Sequence, residues 1–77
     1  MATKPQPTDG DSQSFLIEYE QETDGRWLAE VPSLPGVMAY GKTKRDAEVE
    51  VTALALREIA DRTEEARKPP KSITFLH

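Results

Sequence analysis

Few side chains in this sequence are of a type that does chemistry, and their spacing narrows what that chemistry is. Glu18 and Glu30 lie on either side of a turn that ends in Gly25. If the flanking segments pair as a hairpin, the two carboxylates face each other and offer the oxygen ligands that hold a divalent metal for hydrolysis. No third ligand arises from the segment after Pro35 or from the start of the following helix. The pair reads equally as two solvated charges on the outside of a sheet, an arrangement mildly unfavourable by itself. There is no cysteine and one histidine, His77, so Cys-His pairs are excluded and Ser-His pairs nearly so. Gly36 and Gly41 lack the spacing and the following lysine pattern of a phosphate or dinucleotide loop. The expectation is a chain without catalytic residues, metal or cofactor.

Whatever these side chains do, little protein is available to position them. A chain of 77 residues is one domain at most and buries only about 60% of its unfolded surface. Without disulfides or thiolate metal sites to reinforce it, a fold of this size often gains stability by pairing, so a homo-oligomer (dimer or tetramer) is expected. Ten Lys and Arg against 14 Asp and Glu leave a net charge of -4. That balance argues against a nucleic-acid backbone as the main ligand; it suits a basic protein partner, or only keeps a small domain dispersed. No apolar run approaches the ~18 residues of a membrane span, and the N-terminus lacks a hydrophobic signal core. No membrane association and a cytoplasmic location are expected.

The segment MATKPQPTDGDSQ, residues 1–13, has almost nothing apolar and reads as a disordered tail; the domain is expected over 14–77. From Ser14 the pattern alternates, with Phe15, Ile17 and Tyr19 on one side and Leu16, Glu18 and Glu20 on the other, which is a half-buried strand. A second alternating run, RWLAEV, sets Trp27, Ala29 and Val31 against Arg26, Leu28 and Glu30. A two-residue loop at Asp24-Gly25 would mix Glu18 and Glu20 with Trp27 and Val31. A three-residue loop, Thr23-Asp24-Gly25, sets Tyr19 opposite Ala29 and Ile17 opposite Val31, with Gly25 supplying the left-handed residue. This register also places Glu22 beside Arg26.

Pro32 ends the second strand, Pro35-Gly36 reverses the chain, VMAYG forms a short third strand, and Gly41 stops it. Thr43 caps a helix, with Asp46 three residues on, that runs to about Glu65 or Arg67 before Pro69-Pro70. Val51, Ala55 and Ile59 form one apolar ridge; Val49, Ala53, Leu56 and Ala60 form a second beside it, both expected against the sheet. SITFLH closes the chain as a fourth strand. The fold class is α+β in the order β-β-β-α-β, a three-stranded antiparallel sheet plus a fourth strand with one helix on one face. Leu16 and Leu28, left uncovered, and Glu18 and Glu30 beside them, with Glu20 adjoining, are the best partner-binding candidates, and Leu54 on the helix is a separate fifth.

The run FLIEYEQETDGRWLAEVPSLPGVMAYGKTKRDAEVEVTALALREI, Phe15 to Ile59, closely resembles the HicB family of antitoxins. The resemblance is carried by Asp24-Gly25, Trp27, Ala29, Val31-Pro32, Leu34-Pro35-Gly36, Gly41, Thr43 and Ala47. It departs at Val37, where the family often has Cys. The resemblance implies a partial ribonuclease-H-like fold with the fourth strand beside the first, lacking the acidic metal site of the true enzyme. It implies an antitoxin role, binding a small basic HicA-type toxin that cleaves mRNA, or an orphan scaffold or regulatory module without a toxin. Many members continue into a C-terminal DNA-binding domain. This chain ends at His77, so no autonomous operator-DNA binding is expected.

Overall fold

The structure, a computed structural model, describes residues 12–77. The expected tail therefore lies outside the described residues as far as residue 11. Ser12 and Gln13, assigned above to the tail, are instead the start of a strand. The elements are β1 (Ser12–Leu16), β2 (Glu18–Gln21), β3 (Trp27–Glu30), β4 (Met38–Gly41), α1 (Lys44–Ala66) and β5 (Ser72–Leu76). The chain is α+β, with a three-stranded antiparallel sheet ordered β2-β3-β4 and a two-stranded parallel sheet of β1 and β5.

The first alternating run, expected as one strand, divides at Ile17. Its second half pairs with β3, setting Tyr19 opposite Ala29 and Glu18 opposite Glu30, which is the register of the three-residue loop. Its first half cannot continue along β3, because Pro32 has no amide hydrogen to donate and β3 ends at Glu30. It takes β5 in parallel instead, Phe15 beside Phe75 and Leu16 beside Leu76. At the junction the Ile17 amide donates to the Leu76 carbonyl at 2.8 Å.

The hairpin closes with the Glu22 amide donating to the Arg26 carbonyl at 2.7 Å and Gly25 at φ +93°, a backbone conformation that favours glycine. Arg26 does not pair with Glu22, as adjacency suggested. Its guanidinium lies 2.8 Å from Asp24 Oδ2, and its amide donates to Asp24 Oδ1 at 3.0 Å. The Arg26 amide, then its guanidinium, hold the Asp24 carboxyl below the usual range. A carboxylate two residues from its donors closes a shorter ring than one across the hairpin, so less side-chain freedom is lost.

Beyond β3 the chain folds on itself in a tight corner. The Val31 amide donates to Val37 (3.0 Å), Leu34 to Val31 (2.9 Å) and Val37 to Leu34 (3.0 Å). Pro32 and Pro35 stay exposed while Leu34 is driven into the core, 2% exposed. Gly41 is needed for another reason. A Cβ placed on it would overlap the backbone nitrogen of Ala47 and lie 2.8 Å from the Asp46 carbonyl carbon. The first turn of α1 is pressed onto the end of β4 with no room for a side chain. Thr43 Oγ1 accepts from the Asp46 amide at 3.0 Å, and Arg67 at φ +57° closes the helix C-terminus.

Ala47, Val51, Ala55 and Ile59 are buried with Phe15, Ile17, Ala29, Val31, Leu34 and Val37, and Tyr19, Trp27, Ala39 and Phe75 pack around them. The second ridge does not join this core. Val49 and Leu56 are 51% and 46% exposed, Ala60 is exposed and Ala53 half-buried. The reason is placement: α1 lies over β3 and β4, so one flank overhangs toward the β1–β5 pair with no second helix beside it among the described residues.

Two substitutions test this corner in urea melts. Gly41→Ala is expected to cost about 1–3 kcal/mol through overpacking against the helix backbone. Leu34→Ala is expected to cost about 2–5 kcal/mol as a core truncation, whereas Leu54→Ala stays within about 0.5 kcal/mol. Equal effects at Leu34 and Leu54 would refute the burial assigned to the corner.

Candidate protein-interaction site

The face of the antiparallel sheet opposite α1 is built by strand alternation. Glu18 of β2, Glu30 of β3 and Met38 of β4 stand in one row; Glu20, Leu28 and Tyr40 stand in the next. Leu16 and Leu76 make a further row at the β1–β5 end. Rows repeat every second residue, about 6.7 Å apart. The surface is thus an acidic band bordered by apolar side chains: Leu16, Met38, Tyr40 and Leu76 are each nearly half exposed. Glu18, Tyr19, Glu20, Leu28 and Glu30 line a shallow depression of about 250 Å³.

Of the five partner-binding candidates named from the sequence, four come together here: Leu16, Glu18, Leu28 and Glu30. Leu54 does not. It lies exposed on α1, which packs against the other side of the sheet. Three members were missed. Met38 and Tyr40 follow from carrying the alternation into β4, a signal present in VMAYG; Leu76 reaches the face only through its parallel pairing with Leu16.

Glu18 and Glu30 are opposed, and among the described residues neither forms an ion pair. Arg26, the nearest arginine in sequence, is turned to Asp24 and over the Tyr40 ring, 4.4 Å from its centroid. Like charges directly opposite on a sheet cost the isolated fold a few tenths of a kcal/mol. Among the described residues no group of three or more His, Cys, Asp or Glu side chains is placed to hold a metal. The pair has the geometry to receive a cation carried by a partner, with flanking apolar side chains to bury beside it.

A second cluster gathers on the helix side, at the far end of β5. Tyr19 Oη is 2.7 Å from His77 Nδ1, the two rings stack with centroids 6.0 Å apart, and His77 Nε2 is 3.5 Å from Glu48. Lys44 Nζ lies 4.7 Å from the Tyr19 ring centroid and 5.8 Å from that of Trp27. A hydroxyl, an imidazole and a carboxylate in sequence is the pattern of an activated nucleophile. The electrostatics oppose that use: burial, and then the Glu48 charge, raise the Tyr19 phenol above its ordinary 10.0. The group is held protonated, and the cluster ties the end of β5 to β2 and α1.

No known protein family, curated protein or solved structure matches the chain. None of the helices among the described residues is long and apolar enough to cross a membrane.

The sign of the Tyr19 shift gives a test. A folded-state pKa raised above 10.0 means the hydroxyl contributes stability that is fully present below pH 10 and is lost as pH rises through the shifted value. Alkaline difference spectra should show the Tyr19 phenol titrating above 10.0, and Glu48→Gln should reduce its shift without abolishing it, because burial is the larger cause. A normal titration in the intact protein would remove the cluster.

Proposed function

We propose that this chain is a non-catalytic binding module of the antitoxin type, which captures a small basic HicA-type toxin on the outer face of its antiparallel sheet. The observation that carries the reading is the opposed Glu18–Glu30 pair, bordered by Leu16, Leu28, Met38 and Tyr40. A face that is acidic and apolar together fits a protein partner with lysine or arginine set among apolar side chains, and the net charge of -4 attracts it from a distance. The motif run from Phe15 to Ile59 supports placing the chain among HicB-like proteins. The partial ribonuclease-H-like description is part of the same proposal: β5 lies beside β1, and the order of strands and helix suits that fold.

Binding rather than catalysis also suits the charge arrangement. Two carboxylates opposed on a solvated face weaken the free module slightly, and a cationic partner relieves that repulsion on docking. Stability and binding should then move in opposite directions.

The test is a search of the adjacent reading frames for a small basic protein, followed by co-expression with it; the absence of such a neighbour would refute the antitoxin role. The wild-type chain should restore growth and co-purify with that protein. Glu18→Arg with Glu30→Arg should weaken the complex about 100-fold or more by opposing like charges. The milder Glu18→Gln with Glu30→Gln should weaken binding yet raise the melting stability of the free chain by about 0.2–1 kcal/mol. A complex indifferent to all four substitutions would refute the assigned face, and no rescue by the wild-type chain would refute the antitoxin role.

A further inference from the structure

Among the described residues β5 pairs only with β1. Four of its five residues are exposed, and a two-stranded pair with a bare edge is marginal on its own. Its sequence, Ser72-Ile73-Thr74-Phe75-Leu76, is rich in β-branched and aromatic residues. It contains no charge, proline or glycine, so its own side chains do not blunt it as an edge strand. One hydrogen bond sets the direction of its backbone groups. The Ile17 amide donates to the Leu76 carbonyl, so even-numbered residues of β5 turn their polar groups toward β1. By alternation, Ile73 and Phe75 turn theirs to the open edge.

A second unpartnered feature adjoins that edge. Leu56 and Ala60 on the overhanging flank of α1, with Pro70 and Ile73, line an apolar hollow of about 400 Å³. Charge is also asymmetric along the strand. Arg67, Lys68 and Lys71 precede it, while His77 at its end lies 3.5 Å from Glu48.

We propose that β5 is the self-association edge of this protein, two copies pairing β5 with β5 in antiparallel about a two-fold axis through Thr74. In that register Ile73 opposes Phe75 of the second copy, and the two exchange both amide-to-carbonyl bonds, since these are the residues whose groups face outward. Ile73 and Phe75 then form apolar cross-strand pairs on the helix side, next to the hollow. Thr74 meets its own copy at a non-hydrogen-bonded site, where threonine pairs are favourable. Lys71 of each strand comes opposite His77 of the other, where Glu48 supplies a carboxylate 3.5 Å behind the imidazole and Lys44 lies over the Tyr19 ring. This charge match selects a second copy in antiparallel over a parallel copy or an unrelated strand. An isologous contact of this kind closes on itself, so the product is a dimer and not a fibre. The outer-face glutamates are not part of this contact, so its failure and that of the proposed toxin site are separable.

Thr74 tests the axis, because its backbone groups face β1 and its side chain is exposed. By light scattering, the full-length wild-type chain should weigh twice its 8.6 kDa. Thr74→Lys sets two ammonium groups against each other at the axis and should raise the dimer dissociation constant by at least about tenfold. Thr74→Glu should do the same. An equimolar mixture of the two variants should recover the dimer, which a merely misfolded variant would not do. Hydrogen exchange should protect the Ile73 and Phe75 amides in the dimer and release them on dilution. A wild-type chain that stays at 8.6 kDa at millimolar concentration, a Thr74→Lys protein as dimeric as the wild type, or unprotected Ile73 and Phe75 amides in the dimer would each overturn the proposal.

Discussion

The contact on which the remainder of the fold depends is the approach of α1 to the end of β4 at Gly41. With no Cβ in the way, the backbone at Asp46 and Ala47 lies directly on the strand. The helix is thereby set close enough for alanines to serve as core residues: Ala29, Ala47 and Ala55 are wholly buried. Small side chains at a close crossing leave few voids and pack to interior density. A larger residue at Gly41 would lift the helix and open gaps along the whole ridge. Thr43, two residues on, caps the helix immediately, so direction and distance are both settled within one turn.

That placement has a consequence at the opposite edge. Because the helix sits over β3 and β4, it cannot also cover the β1–β5 pair. Ile73, Val49 and Leu56 are left partly exposed, which is a large apolar allowance for a small domain. The division of the first strand at Ile17 has the same origin. Pro32 ends β3 early, so the chain before Ile17 must find its ladder partner elsewhere, and only β5 is within reach. The molecule therefore has a well-packed half and an edge whose hydrogen-bonding and apolar capacity are incompletely used.

The outer sheet face follows a separate logic. Alternation puts every second residue of β2, β3 and β4 outside, and this face carries glutamate where stability alone would favour a threonine or an opposite charge. The opposition of Glu18 and Glu30 is a local conflict in an otherwise consistent sheet, and such conflicts concentrate where a protein binds something. On the helix side the Tyr19, His77 and Glu48 contacts resolve their polar groups internally, so that cluster acts as a clasp.

Local physics determined much of this in the sequence itself. Gly25 and the acidic turn dictated the hairpin register, Pro32 and Pro35-Gly36 the corner, and Thr43 the start of the helix, because each acts through its own backbone dihedrals or nearest hydrogen bonds. From the register alone, Leu16, Glu18, Leu28 and Glu30 could be set on one face. Only the tertiary structure decided the rest: that β5 lies parallel to β1, that Leu76 joins the outer face, that His77 reaches Tyr19, and that the ridge of Val49 and Leu56 is left uncovered. Helical periodicity gives the width of an apolar face but not how much of it has a surface to meet. That depends on where in the sheet the helix is seated, and residues far apart in the chain set that distance.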